Sequence, residues 1–338
     1  MAKSALFQTS QQTNVIIGTE ATFGTKAATG ATRIHMPVTS YSFSEVANHT
    51  LAVAPFRAGA GGATQSTEMV KAQRHDRMYE ITLEFMGSPQ AINRVCLALF
   101  GDDDGTNALI GSMPTTSNIS GSTAVPVTIY FDKGSASAAD TAISFTSCMC
   151  SSFALSGDIG GNGGVIMGSA TFVTGFNPDK ANISFSGGTE TTIAAQSSYF
   201  NMHDLSATTI TPSGGSAEDL VLFSFELNIA RAVNRVGFDT AANSFAPLGY
   251  VVGGYEVTGS MTVKRDAESD AAITYADTAE PVCAVSITDG TFAIAAPKAI
   301  IDQSSINFDE DGFKSVIPFR CTYDAANTSN TVVSISTA

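Results

Sequence analysis

Two stretches, YEITLEF at residues 79–85 and YEVTGSMTV at residues 255–263, decide how this chain is read. Both alternate apolar or β-branched residues with polar ones, the period-two pattern of a half-buried strand. Both follow a Gly- and Ala-rich irregular stretch: residues 54–77 (APFRAGAGGATQSTEMVKAQRHDR) and 237–254 (GFDTAANSFAPLGYVVGG). Loops this long inside a compact domain are usually functional. Both strands also lead into a segment that reads as helix. In the first, Ser88 caps, Pro89 takes the first helical position, and Ile92, Val95, Cys96 and Leu99 fall on one stripe before Gly101. In the second, residues 266–278 (DAESDAAITYADT) are the candidate.

Working outward, the correspondence continues. TSYSFSEVANHTL (39–51) precedes the first loop and VLFSFELNIARAV (221–233) the second. VTIYF (127–131) answers VSITD (285–289), and residues 151–175 answer 304–324 as strand, tight turn, strand. The order strand, long loop, strand, helix, strand, hairpin is thus given twice, which is how an internal repeat announces itself. The boundary falls near residue 190, giving units 1–190 and 191–338. Residues 183–212, rich in Ser, Thr and Gly, read as a linker. The expected class is mainly β: two tandem β-sandwich or split-barrel domains, each with one short flanking α-helix and a long loop.

Composition points toward assembly. Of 338 residues 43% are hydrophobic but only 14% charged, against about 25% in ordinary soluble domains. Gly, Ser, Thr and Ala take the place of charge, as on surfaces covered by neighbouring subunits. The net charge of −14 argues against binding DNA by phosphate neutralisation. It fits either simple solubility or a wall that DNA slides past. Five cysteines without regular spacing read as reduced, buried thiols. The start MAKSALFQTSQQ has no apolar core of a secretory signal, and no apolar run is long enough for a membrane span.

The chain offers little catalytic chemistry, and an enzyme is not expected. His35, His49, His75 and His203 are scattered, and Cys148-Met149-Cys150 lacks the two-residue spacing of zinc and redox pairs. DIGGNGG (158–164) sits between strands, without the following helix of a phosphate loop. DEDG (309–312) reads as a hairpin tip and not a calcium loop. No cofactor is expected. The one local basic excess is Lys71, Arg74, His75 and Arg77. It reads as a contact for acidic groups on a neighbouring subunit or as a solvated loop, with nucleic acid a third reading.

The run IARAVNRVGFDTAANSFAPLGYVVGGYEVTGSMTVKRDAES (229–269) resembles the core signature of phage major tail tube proteins, and FALSGDIGGNGGVIMGSATFVTG (153–175) resembles a second pattern of that family. The resemblance implies sheets of adjacent subunits joining around a lumen, and a long loop packing on the next ring. For a duplicated subunit it implies trimeric rings with pseudo-sixfold symmetry in a siphophage tail, assembled in the host cytoplasm and carried in the virion. Partners would be further copies of the chain and the tail tip, tail terminator and tape measure proteins. Genomic DNA would pass through without specific binding, and no membrane is involved. Candidate inter-ring residues are Phe56, Arg57, Lys71, Arg74, Arg77, Phe238, Phe245 and Tyr250; candidate lumen-facing acids are Glu45, Glu80, Glu84, Glu226 and Glu256. The rival reading is a carbohydrate-binding or adhesin-like β-sandwich on a virion surface, although the chain has no Trp for sugar stacking.

Overall fold

The computed structural model describes residues 13–27, 33–47, 77–101, 108–112, 125–132, 142–181, 199–237, 246–276, 282–301, 307–308, 314–322 and 331–337. The described chain is mainly β, and its strand pairings are antiparallel. In chain order the first part holds β1 (Asn14–Thr19), β2 (Arg33–Met36), β3 (Val38–Ala47), β4 (Arg77–Met86), α1 (Pro89–Phe100), β5 (Ala108–Ser112), β6 (Val127–Asp132), β7 (Ala142–Asp158), β8 (Met167–Thr174) and β9 (Asp179–Ala181). The second holds β10 (Ala207–Pro212), β11 (Glu218–Asp219), β12 (Leu222–Val236), β13 (Gly249–Lys264), α2 (Ala267–Ala276), β14 (Val282–Thr288), β15 (Phe292–Ile301), β16 (Asn307–Phe308), β17 (Lys314–Cys321) and β18 (Thr331–Thr337).

The pairings of the first part recur in the second. β1 pairs with β2 and β6, as β10 does with β11 and β14. β4 lies between β3 and β8, as β13 lies between β12 and β17. β7 pairs with β6, β8 and β9, as β15 does with β14, β17 and β18. β5 and β16 stand outside this correspondence.

Local chemistry accounts for the helices. The Ser88 Oγ accepts from the Ala91 N–H at 3.3 Å, and Pro89 follows where its missing N–H costs nothing. Gly101 closes α1 at φ 78°, its N–H donating to the Leu97 carbonyl. The stripe Ile92, Val95, Cys96 and Leu99 is fully buried. At α2, the Asp266 carboxylate accepts from the Ser269 N–H while the Ser269 Oγ accepts from the Asp266 N–H, a reciprocal cap.

Two readings of the sequence need correction. Residues 207–212, assigned to a linker, form β10, which alternates exposed and buried positions and pairs on both edges; the Ser/Thr composition masks an ordinary half-buried strand. The closing hairpin of the second part begins earlier than residue 304. Its long first strand is β15, whose Ala-rich sequence carries a weak β signal. The boundary near residue 190 lies outside the described residues. One hydrophobic core runs through both parts, from Val15 to Ile335.

Candidate assembly face and sheet edges

β7 is one of the strands that join the two parts. Its segment Ser152–Asp158 pairs with β12 over Ser224–Ala230. A single sheet therefore runs β3–β4–β8–β7–β12–β13–β17, with β16 and the end of β15 beyond β17. Side chains directly opposite one another point the same way, so the registers sort the residues into two faces.

The inner face is apolar. Ile81, Leu83, Phe85, Ala170, Phe172, Phe153, Leu155, Phe225, Leu227, Ile229, Val257, Met261, Ile317 and Phe319 are all buried. Where Gly168 sits opposite Phe85, a Cβ would lie 2.5 Å from the ring, so the glycine leaves room for the aromatic. Gly259 does the same for Phe319.

The opposite face is rich in hydroxyls and acids, with Val46, Met149, Met167, Val173, Val316 and Pro318 interspersed. It carries Ser40, Ser42, Ser44, Thr82, Thr171, Ser169, Ser152, Ser156, Ser224, Asn228, Thr258, Ser260 and Thr262, none of them buried. Glu80, Glu84, Glu226 and Glu256 all project here and are exposed. Glu84 accepts from the Ser40 hydroxyl at 2.5 Å, and Glu256 lies 3.7 Å from Arg320. Glu45 does not belong to this group. It is opposite Tyr79 and not Glu80, so it lies on the other side of the sheet. The alternation within β3 carries this, since Glu45 falls two residues after Phe43 and four after Tyr41, on the side that meets Ile81 and Leu83. The face also holds Asp158, which sequence reading had placed in a turn, and the bases Lys264, Lys314 and Arg320.

Of the inter-ring candidates, Phe56, Arg57, Lys71, Arg74, Phe238 and Phe245 lie outside the described residues. Arg77 opens β4 opposite Ala47. Tyr250 is not a free loop residue. It begins β13, its hydroxyl accepts from the Gly175 N–H at 2.7 Å, and its ring meets Phe23 edge to face. Burial pushes its phenol up to about 12. Phe23, Lys26, Phe176, Asp179, Pro247 and Leu248 line a cleft of about 600 Å³ beside it.

One residue that sequence reading missed ties the parts together. Arg231 on β12 is 6% exposed. Its Nε donates to the Cys150 carbonyl at 2.9 Å, its Nη2 to the Ala98 carbonyl at 3.2 Å and its Nη1 to the Tyr255 hydroxyl at 3.0 Å. Tyr255 donates in turn to the Leu99 carbonyl at 2.6 Å. Together these satisfy the Ala98 and Leu99 carbonyls in the last turn of α1, where a cation is also favoured by the helix dipole. Burial raises the Tyr255 phenol, against the charge of Arg231.

A second buried polar cluster surrounds Glu20. Its carboxylate accepts from the Thr128 hydroxyl and from the Ser147 N–H and hydroxyl, at 2.5, 2.7 and 2.6 Å. The same two hydroxyls accept from the Ala27 and Gly24 N–H groups, so the cluster fixes the loop after β1. Burial raises the Glu20 carboxyl above its ordinary value despite these bonds. The five cysteines are buried and unpaired. Burial pushes Cys150, Cys283 and Cys321 to about 12, far from thiolate reactivity.

Among the described residues, β3 pairs on one side only, with β4. Phe43 on this edge is 47% exposed and Val46 54%. The corresponding residue of the second part is Ile229, which faces Val257 as Phe43 faces Ile81. It is 1% exposed, lying where β7 pairs with β12. No family model matches the chain, and no curated protein matches it.

Proposed function

We propose that this chain is a structural subunit, not an enzyme, and that it builds a tube of the phage tail tube type. In this reading it folds twice, as units 1–190 and 191–338, and closes three copies into a ring with pseudo-sixfold symmetry. Stacked rings then surround a lumen lined by the hydroxyl-rich, acid-bearing face, through which DNA passes without being held. Acids repel phosphate, and on that face Glu80, Glu84, Asp158, Glu226 and Glu256 outnumber the bases Lys264, Lys314 and Arg320.

The observation that carries this reading is the pairing of β7 with β12. It joins one set of strands to the next, edge to edge, inside a single chain. The same step taken between chains brings the end of β15 and β16 of one copy to β3 of the next. Closed ring symmetry requires such a repeated contact, and pairing in a closed ring removes the hazard of an open β edge.

Rotational averaging of negatively stained particles tests this. Threefold rings with six similar lobes are expected. Discrete monomers at high protein concentration would overturn the reading and favour a surface-binding sandwich. Replacing Phe43 with Lys on the β3 edge is expected to keep the fold and abolish rings; rings from this variant at the wild-type concentration would remove β3 from the interface.

A further inference from the structure

The turn DIGGNGG (158–164) joins β7 to β8 and holds the chain's only asparagine followed by glycine. Asn162 and Gly163 both take positive φ, 49° and 67°, a region that asparagine and glycine tolerate better than other residues. Both residues are exposed. The Gly164 N–H donates to the Gly161 carbonyl at 2.8 Å, but the Val165 N–H reaches the Asn162 carbonyl only at 3.4 Å.

Two groups in this turn are unengaged. Among the described residues the Gly163 N–H donates to no acceptor, and the Asn162 side-chain amide has no hydrogen-bond partner. A Cβ built on Gly163 would meet nothing within 4 Å, so packing does not shield its nitrogen. The turn between β14 and β15 holds the contrasting pair, Asp289 and Gly290. There the Asp289 carboxylate accepts from the Thr291 and Phe292 N–H groups at 2.6 and 2.5 Å, and the Gly290 N–H donates to the Thr288 hydroxyl at 2.9 Å. Carboxyl carbon and following nitrogen are both held in that turn, and both are free at Asn162.

We infer that Asn162 is a site of spontaneous deamidation, with the backbone nitrogen of Gly163 as the nucleophile. That nitrogen bonds to the side-chain carbonyl carbon of Asn162 and gives up its proton. The bond to the side-chain nitrogen breaks, and ammonia leaves carrying that proton. The five-membered imide then takes up one water, which opens it at either carbonyl to aspartate or isoaspartate. Both products place a new carboxylate in a hollow of about 330 Å³ that Asn162 shares with Asp158 and Glu226. Isoaspartate also lengthens the main chain by one methylene. The next residues, Val165 and Ile166, pair with Asn201 and Phe200 at the start of the second part. The modification therefore loosens a seam between the two parts. It is independent of whether the chain builds tubes.

The test is to incubate the folded, full-length chain at mildly alkaline pH, map its peptides by mass and measure the ammonia released. Asn162 is expected to convert at least about tenfold faster than every other asparagine, the effect of a barrier lower by about 1.4 kcal/mol. Asp289 is expected to stay unmodified while the protein is folded and to isomerise once it is unfolded in urea. Asn162→Gly keeps the positive φ and is expected to remove most of the ammonia release. A folded chain that preserves Asn162 while the urea-unfolded chain loses it would show that the turn protects the amide, and this overturns the inference. Undiminished ammonia release from Asn162→Gly overturns it as well. Aged wild type is expected to melt below Asn162→Asp, which gains the carboxylate without the longer backbone; equal midpoints refute the loosened seam.

Discussion

At the residue scale, Arg231 shows how much one side chain can hold. It is buried, multiply hydrogen-bonded and shared between α1, β7 and β13. Replacing it with Met strips donors from buried carbonyls, each of which costs on the order of 1–3 kcal/mol when left unpaired. A loss of about 3 kcal/mol is expected, read as a lower urea midpoint at unchanged slope. Lysine is expected not to rescue it, since a single ammonium cannot reproduce the planar fork. Glu20 makes the opposite kind of prediction. Its folded carboxyl holds its proton to higher pH than the unfolded one, whose ordinary value is 4.5. Its contribution to stability is therefore fully present below 4.5 and declines as pH rises through the raised value. Glu20→Gln is expected to flatten the thermal midpoint across that window; an unchanged profile would show that the carboxyl is not raised.

At the scale of elements, α1 was legible almost atom by atom. Ser88, Pro89 and Gly101 carry boundary signals that act within one turn, and its apolar stripe needs only some partner to bury against. Ser88→Ala is expected to cost about 1 kcal/mol in chemical denaturation. The strands were legible as strands, yet not as neighbours. Glu45 keeps step with Tyr41 and Phe43 in β3 while Glu80 alternates with Tyr79 and Ile81 in β4, and the pairing turns these parities into opposite faces. β15 escaped notice because alanines pack against a sheet without advertising themselves. Gly259 illustrates packing invisible to propensity. A Cβ there meets the Phe319 ring and comes within 2.8 Å of the Glu226 carbonyl. Gly259→Val is expected to destabilise by about 2 kcal/mol through overpacking, measured as the shift in denaturation midpoint.

At the scale of the molecule, the two parts are bound by more than a linker. β7 pairs with β12, β5 with β18, and the Thr337 hydroxyl donates to Asn93 on α1. The expected consequence is a single cooperative unfolding transition, observable as coincident fluorescence and circular dichroism melts; two separated transitions would mean independent halves. Deleting residues 54–77 is expected to leave soluble protein that does not polymerise, since the sequence reads them as the loop that packs on the next ring.

By itself the sequence determined the β class, the recurrence of YEIT and YEVT, both helices and the low charge. These depend on local periodicity and composition, which every residue reports for itself. The tertiary structure alone decided which acids share a face, that Asp158 and three bases join them, and that Arg231 clasps the end of α1. It also decided that, among the described residues, β3 is paired on one edge while its counterpart β12 is paired on both. Such facts arise from register and long-range pairing, where a shift of one residue reverses every side chain.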